Sequence, residues 1–177
     1  MDANLDSDRI IAFLKAVGER LHSPAEIVLL GGGALSLIGS SRPTLDLDFD
    51  GEEKASDEFR ILLEQVASAM HLDIEAVPLH RFVPLPPETA THHIEIAQFG
   101  QLQVYVFNPY GIALSKLDRG LSSDIADVAF LLREGFVDLD ALNQLIDRAA
   151  TRASEYDLDP AQMRTHLVLA QAVMLDD

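Results

Sequence analysis

Two aspartates one residue apart carry the most chemical information in this sequence. Asp46 and Asp48 lie in the segment Thr44 to Asp50, in which apolar and acidic residues alternate. Alternation is typical of a β-strand, where side chains two residues apart share a face and their backbones lie roughly 6.6 Å apart. Both carboxylates can therefore reach one hard cation such as Mg²⁺ or Mn²⁺, whose oxygen ligands lie at about 2.1 Å. The spacing predicts a divalent metal site at this pair.

Three consecutive glycines precede the aspartates. Gly31-Gly32-Gly33 follow the apolar run Ile27 to Leu30, which predicts a buried strand, and precede Ala34 to Ile38, which predicts a short helix. A backbone without side chains can approach a ligand, and free N–H groups at a helix start favour an anion. The glycines therefore predict a phosphate site. Ser36, one turn into the helix, is either a further donor to a phosphate or a packed surface serine.

The apolar residues that alternate with the aspartates predict how the strand is held. Leu45, Leu47 and Phe49 fall on the face opposite Asp46 and Asp48, and we expect them to anchor the strand in a core. A charged pair at the end of a buried strand costs free energy unless a cation or a donor compensates it. The alternative is that the aspartates are solvent-facing residues of an edge strand, or caps of the next helix.

The same segment also matches the opening of a calcium-binding EF-hand loop. Asp46-x-Asp48-x-Asp50-Gly51 has the required spacing, and Asp57 falls where the last ligand would lie. Glu53, however, occupies a position that such loops give to an apolar residue. The apolar residues between the aspartates also suit a strand, so the sequence favours a strand-borne metal site over a calcium loop.

A second group of charged residues lies later in the chain. Lys116 and Arg119 precede Asp124 and Asp127, and Ser122 or Ser123 can cap a helix at this point. The apolar residues of that helix, at helical spacing, leave both aspartates along the edge of its apolar stripe, where they can face a cleft; these residues are Ile125, Val128, Ala129 and Leu132. The simpler alternative is that Asp124 caps the helix and Lys116 pairs with it on the surface.

Together these segments resemble a known enzyme superfamily. Leu30-Gly31-Gly32 followed by Asp46-Leu47-Asp48 resembles the signature of nucleotidyltransferases of the DNA polymerase β type. The stretch from Arg42 through Thr44 to Asp48, with Lys116, Arg119 and the Asp124-x-x-Asp127 helix, resembles the small bacterial branch that includes abortive-infection and toxin–antitoxin nucleotidyltransferases. In that branch an arginine commonly precedes the first aspartate of the helix, whereas this chain has Ser123.

The resemblance implies a magnesium-dependent enzyme that moves a nucleoside monophosphate from a triphosphate to an acceptor hydroxyl and releases pyrophosphate. It implies that Asp46 and Asp48 hold the metal and that Asp124 or Glu95 supplies a third carboxylate, with Asp127 a further candidate. Lys116, aided by Arg42, would neutralise charge on the phosphates, Arg119 would bind nucleotide, and Gly31, Gly32 and Gly33 would seat the phosphates. The acceptor is an RNA end, a protein or a small molecule. A toxin role would add an antitoxin-like protein partner.

A non-enzymatic alternative remains open. The strong acidity and Ser123 are also compatible with a catalytically inactive module on the same fold that binds a nucleotide or a partner. The formal charge of −16 opposes an extended nucleic-acid interface, because most such interfaces present a basic surface. A nucleotide carried with magnesium is much less affected, since the ion offsets its charge.

Composition sets the outer limits of the fold. The chain has 177 residues, 48% of them hydrophobic, and no cysteine, which suits one compact unit and excludes disulfides and thiolate chemistry. No apolar run approaches the roughly 20 residues that span a bilayer, and the N-terminus lacks the basic start of a secretion signal. We therefore expect a cytoplasmic protein.

The order of the predicted elements defines the fold class. Strands and helices alternate up to residue 108, and helices alone follow Pro109. This order predicts an α/β (α+β) fold, with a small mixed β-sheet core flanked by helices in residues 1–108 and a C-terminal helical extension in residues 109–177, packed as a single compact unit. Glu95 is expected on a strand of the hairpin from His92 to Phe107.

Overall fold

The computed structural model describes residues 5–51 and 56–176; Glu53, on which the calcium-loop argument partly depends, lies outside them. The helices are α1 (Ser7–Arg20), α2 (Gly31–Leu37), α3 (Asp57–Ala69), α4 (Pro109–Arg119), α5 (Ser122–Arg133), α6 (Leu139–Ala150), α7 (Ala153–Tyr156) and α8 (Pro160–Asp176). The strands are β1 (Ala25–Leu30), β2 (Asp46–Asp50), β3 (Asp73–Val77), β4 (Ile94–Phe99) and β5 (Leu102–Val106). Short 3₁₀ turns span Leu79–Arg81 and Pro87–Thr89.

These elements group into two units. The first contains the described residues up to Pro78 together with His93–Phe107, and the second contains Leu79–His92 and the residues from Asn108 onward. Leu79–His92 therefore group with the helical part of the chain, although they precede the boundary after residue 108. The α/β prediction, with a small mixed sheet, flanking helices and a C-terminal helical part, is confirmed.

The first unit is built on a five-stranded mixed sheet in the order β3-β2-β1-β5-β4. β1 pairs antiparallel with β2 and parallel with β5, β2 pairs parallel with β3, and β4 pairs antiparallel with β5. Helices α1, α2 and α3 pack against this sheet. The side chains that fill the core between them include Phe13, Leu14, Ile27, Leu29, Leu47, Val104 and Val106.

The start of β2 differs from the sequence prediction. Leu47 and Phe49 are buried as expected, but Leu45 is 62% exposed, so the expectation that it anchors the strand is wrong. The physical reason is that β2 begins only at Asp46, and Thr44 instead forms an isolated bridge with Leu5. The regular alternation of faces therefore does not extend back to Leu45, and Thr44 is buried in its place.

The second unit is helical, with α4, α5 and α6 all packing against α8. The Asn108 side chain accepts a hydrogen bond from the Tyr110 N–H at 3.0 Å, which caps α4 next to its first residue, Pro109. The helix ends at Gly120, which has a φ of +66°. A Cβ at Gly120 would lie 1.9 Å from Cε1 of His166 on α8, so this turn requires glycine both for its backbone and for close packing.

Among the helices of residues 5–51 and 56–176, none is long and apolar enough to cross a membrane.

Candidate active site

The glycine turn and the second aspartate lie in direct contact because of the register of two strands. β1 runs antiparallel to β2 with Leu30 opposite Asp48, and the chain turns into α2 at the next residue, Gly31. Gly31 has a φ of +64°, a conformation in which residues with a Cβ are strained. A Cβ at this position would lie 2.4 Å from Oδ2 of Asp48. Only glycine therefore lets the backbone approach this carboxylate.

Gly32 brings the first turn of α2 next to the segment that precedes β2. A Cβ at Gly32 would lie 2.8 Å from Nη2 of Arg42 and 3.0 Å from Oγ1 of Thr44. The Thr44 hydroxyl in turn lies 3.3 Å from Oδ1 of Asp46. Gly31, Gly32, Arg42, Thr44, Asp46 and Asp48 thus form one continuous group, which we call the glycine–aspartate cluster.

Gly33 packs against side chains of the core, and Ser36 forms a hydrogen bond with the backbone of its own helix. A Cβ at Gly33 would lie 2.7 Å from Cδ1 of Leu47 and 3.6 Å from Cδ1 of Ile10, and Gly33 is buried. Its glycine identity is thus explained by close packing of α2 on the core. The Ser36 hydroxyl donates to the Gly32 carbonyl at 3.1 Å, which is the usual bond of a helical serine to the preceding turn.

The two aspartates share one face of β2. Asp46 is exposed and Asp48 is half-buried, while Leu47 between them points into the core. The strand spacing of roughly 6.6 Å between such residues allows their carboxylates to contact one ion. The tertiary structure adds that Asp48 stands against the glycine turn at Gly31 and that the guanidinium of Arg42 lies beside Gly32.

A carboxylate that the sequence analysis did not single out lies next to this pair. β3 pairs parallel with β2, with Glu75 beside Asp48 and Asp73 beside Asp46. Cross-strand neighbours in this register point to the same face, about 4.8 Å apart along the hydrogen-bonding direction. The alternation of Asp73, Ile74 and Glu75 is a local signal of a strand, but it does not reveal which strand will be its neighbour.

Glu95 lies elsewhere in the sheet. It is on β4, at the edge opposite β3, and three strand spacings separate β4 from β2, which corresponds to roughly 14 Å. Its carboxylate accepts a hydrogen bond from Nε2 of Gln103 at 3.1 Å. The structure therefore does not bring Glu95 together with the aspartate pair.

In the part of the chain that the structure describes, no three Asp, Glu or His side chains are arranged as a ligand set for one metal ion. Among the described residues, the aspartate pair could therefore offer two carboxylate ligands to an ion. This arrangement suits Mg²⁺, which usually keeps several waters and binds through one or two carboxylates together with substrate phosphates.

The second unit contains a compact group of four charged residues, which we call the Lys116 cluster. The Lys116 ammonium lies 2.6 Å from Oδ2 of Asp127 and 3.2 Å from Oδ1 of Asp124. Arg119 holds Asp124 with two hydrogen bonds, from Nη2 at 2.6 Å and from Nε at 3.2 Å. Lys116 is only 3% exposed and both aspartates are buried, whereas 60% of the Arg119 side chain is exposed.

Asp124 also caps α5, which corrects the prediction that Ser122 or Ser123 does so. The helix begins at Ser122, so the capping position is Leu121, and the Leu121 N–H donates to Oδ2 of Asp124 at 3.3 Å. A carboxylate at the third helical position can satisfy this free N–H. The pairing of Lys116 with Asp124 is present, but it is buried instead of lying on the surface.

The ionisation of Asp124 is controlled by its cationic partners. Burial alone raises the pKa of this carboxyl, but the hydrogen bonds and positive charges of Arg119 and Lys116 outweigh it and hold the pKa below its usual range. Asp124 is therefore a carboxylate whose two oxygens already have donors. This geometry suits a residue that positions Arg119 better than one that takes up a proton or a metal ion.

Comparison with known proteins identifies the family. Residues 8–170 match the model of a family described as nucleotidyltransferase of unknown function (DUF6036). The match spans most of the chain, so the chain belongs to this family. No curated protein and no solved structure shows a significant match. The general prediction of a nucleotidyltransferase is confirmed, while the polymerase β-like superfamily and the toxin–antitoxin branch stay predictions.

Proposed function

Starting from membership of this nucleotidyltransferase family, we propose that the chain transfers a nucleoside monophosphate from a nucleoside triphosphate to an acceptor hydroxyl, with release of pyrophosphate and with Mg²⁺ or Mn²⁺ as cofactor. The single observation that carries this proposal is the contact of the Asp48 carboxylate with the bare backbone at Gly31. A candidate metal ligand and a stretch of main chain without side chains are adjacent there, as a metal-bound triphosphate requires.

The donor set of the aspartate pair fits a hard divalent cation. Asp46 and Asp48 offer carboxylate oxygens on one strand face, and Mg²⁺ and Mn²⁺ prefer such ligands over nitrogen or sulfur. When bound, the ion would polarise the α-phosphate and offset the negative charge of the triphosphate. The chain's own contribution is to hold both carboxylates on a strand whose intervening residue, Leu47, is fixed in the core.

In this proposal the glycine turn and Arg42 bind the phosphates of the nucleotide. At Gly31 and Gly32 the start of α2 presents main chain alone, so phosphate oxygens can approach its N–H groups. Helix α2 has only seven residues, so a formal charge is needed beside the backbone donors. The Arg42 guanidinium next to Gly32 supplies one, and arginine forms two parallel hydrogen bonds to a phosphate.

For the third carboxylate we favour Glu75 over the two residues named from the sequence. Glu75 shares a sheet face with Asp48 on the neighbouring strand, whereas Glu95 lies three strands away and Asp124 is held by two cations. A carboxylate beside the metal pair is suited to accept the proton of the acceptor hydroxyl. We assign this role to Glu75.

The Lys116 cluster is assigned a supporting role in nucleotide binding. Lys116 cannot approach a phosphate without giving up its contacts with two buried carboxylates, which is costly. It therefore holds Asp124 and Asp127 in place, and Asp124 fixes the exposed Arg119 guanidinium in one orientation. In this proposal Arg119, and not Lys116, contacts the nucleotide or the acceptor.

The test is transfer of label from each α-labelled nucleoside triphosphate, in the presence of Mg²⁺, to components of an RNA extract, a protein extract or a small-molecule pool. We expect one acceptor class to become labelled, and Asp46→Asn and Asp48→Asn to abolish the labelling. Asp8→Asn, which removes an exposed carboxylate on α1, is the matched control and should transfer normally. Comparing Glu75→Gln with Glu95→Gln tests the third carboxylate.

Two outcomes of this assay point to other functions. Binding of a metal–nucleotide complex without transfer to any acceptor would identify a catalytically inactive module. A toxin role is tested separately: expression should arrest growth, and an antitoxin-like protein should restore it. Harmless expression would refute the toxin role but leave the transfer chemistry intact.

A further inference from the structure

Thr44 has no assigned role, yet it joins the glycine turn to the aspartate pair. We propose that Thr44 is a positioning residue whose hydroxyl holds the Asp46 carboxylate in place for the divalent cation. The inference rests on the proposed function, because it concerns the ligand geometry of that same metal site.

The burial of Thr44 is unexpected for its place in the chain. It precedes β2, and both of its neighbours, Pro43 and Leu45, are exposed, whereas Thr44 is only 7% exposed. Its backbone is fixed by the Leu5 N–H, which donates to the Thr44 carbonyl at 2.8 Å, and Leu5 is itself buried. Thr44 is thus held from a second segment of the chain before β2 begins.

The Thr44 hydroxyl faces two groups of the glycine–aspartate cluster. Its Oγ1 lies 3.3 Å from Oδ1 and also 3.3 Å from the main-chain oxygen of Asp46. On its other side, a Cβ at Gly32 would lie 3.0 Å from the same Oγ1. The hydroxyl therefore sits between the first turn of α2 and the Asp46 side chain.

In this proposal the Thr44 hydroxyl restricts the exposed side chain of Asp46. Asp46 is exposed, so in isolation its side chain would sample several rotamers, and each binding event would have to restrict them. A hydroxyl has one proton to donate, and the two acceptors that the described residues place near it, Oδ1 and the main-chain oxygen, both belong to Asp46. The branched side chain of threonine restricts its own χ1 angle. Thr44 can thereby limit the orientations of Asp46 before the cation arrives, as partners of metal ligands generally do.

The experiment is calorimetric titration of the full chain with Mn²⁺ in the absence of nucleotide. Thr44→Val keeps the branched shape and removes the hydroxyl, and we expect about tenfold weaker Mn²⁺ binding, the size of effect seen when a partner of a metal ligand is removed. Thr44→Ser keeps the hydroxyl and should bind Mn²⁺ as the unsubstituted chain does. Thr44→Ala is a second hydroxyl-free variant in case Thr44→Val does not fold.

Thr89→Val is the matched control. Thr89 is also buried, and its hydroxyl donates to the Pro86 carbonyl at 2.7 Å, but both residues belong to the second unit. This variant should be less stable than the unsubstituted chain and should bind Mn²⁺ with unchanged affinity. It separates the loss of a buried hydroxyl in general from the loss of this one.

The possible results distinguish the inference from the function on which it rests. If the unsubstituted chain does not bind Mn²⁺ and labels no acceptor, the proposed function falls and the role of Thr44 falls with it. If the chain binds Mn²⁺ but Thr44→Val binds equally well, only the role of Thr44 is refuted. Equal weakening in Thr44→Val and Thr44→Ser would show that threonine acts through its shape, which also refutes the inference.

Discussion

Replacing Gly31 with alanine perturbs the contact between the glycine turn and Asp48 with a single methyl group. Gly31 has a φ of +64°, and the added Cβ would lie 2.4 Å from Oδ2 of Asp48. The substitution therefore has two separable effects: backbone strain, and displacement of the carboxylate. Gly135→Ala isolates the first effect, because Gly135 has a φ of +73° and no atom within 4 Å of the corresponding Cβ.

The expected magnitudes follow from these two geometries. An L-residue in the left-handed conformation costs about 1–2 kcal/mol, and roughly 0.4–1 kcal/mol of this is offset by the lower entropy of the unfolded chain. We expect Gly135→Ala to lower the free energy of unfolding by about 1 kcal/mol. Gly31→Ala adds about 1–3 kcal/mol for forcing packed atoms apart.

The effect on function should be larger than the effect on stability. A displacement of about 1 Å in a reacting geometry can reduce a rate about 100-fold, and the Cβ of Gly31→Ala would force the Asp48 carboxylate or the glycine turn to move. Denaturant unfolding measures the first quantity, and Mn²⁺ titration with nucleotide transfer measures the second. If Gly31→Ala binds Mn²⁺ and transfers nucleotide as well as Gly135→Ala does, the contact with Asp48 is not part of the site.

Four further predictions concern stability. Lys116→Met should lower the free energy of unfolding by about 3–5 kcal/mol in a denaturant titration, because the buried Asp127 and Asp124 lose the ammonium group that lies 2.6 and 3.2 Å from their oxygens. Arg152→Gln, in an exposed pair with Glu155, should have no measurable effect in the same titration, and equal losses would contradict the role given to burial. Asp118→Asn should raise stability at pH 7, because burial and the nearby Asp157 raise the pKa of Asp118 and disfavour its charged form, and the gain should vanish below about pH 4. The pH dependence due to Asp124 has the opposite sign. Its pKa is lowered, so its charged form stabilises the fold above about pH 4, and this contribution is lost as the pH falls further. Asp124→Asn should therefore flatten the acid side of the curve of stability against pH, and an unchanged curve would count against the ion pairs. Leu47→Ala should lower the free energy of unfolding by about 2–5 kcal/mol, whereas Leu45→Ala should leave it almost unchanged, because Leu47 is buried and Leu45 is exposed. Thermal melting of both variants checks this.

The agreement between sequence and structure is closest where a signal is local. The bare backbone at Gly31 and the common face of Asp46 and Asp48 depend on glycine and on the two-residue period of a strand, and both can be read from neighbouring residues. Leu45 was misplaced because the start of a strand depends on its partners, and the bridge between Thr44 and Leu5 joins residues far apart in the chain.

Partners that are distant in sequence account for the remaining differences. The sequence does not point to Glu75, because a strand does not reveal which neighbour it will pair with; pairing with β2 places it beside Asp48. Glu95 is one of two candidates that the family resemblance implies for a third carboxylate, but the strand order places it at the other edge of the sheet from β3. For Lys116 the family resemblance implies a contact with phosphates, whereas its burial against two carboxylates is not evident from the sequence.

The sequence by itself determined the α/β order of elements, the glycine turn and the two same-face aspartates, since these properties arise from residue type and spacing along the chain, and its motifs resemble those of nucleotidyltransferases. Only the tertiary structure decided which atoms meet: Asp48 against Gly31, Thr44 between Gly32 and Asp46, and Arg119 held by a buried Asp124. The physical reason is that strand register and helix packing are set by burial of the whole core, to which residues from the entire chain contribute.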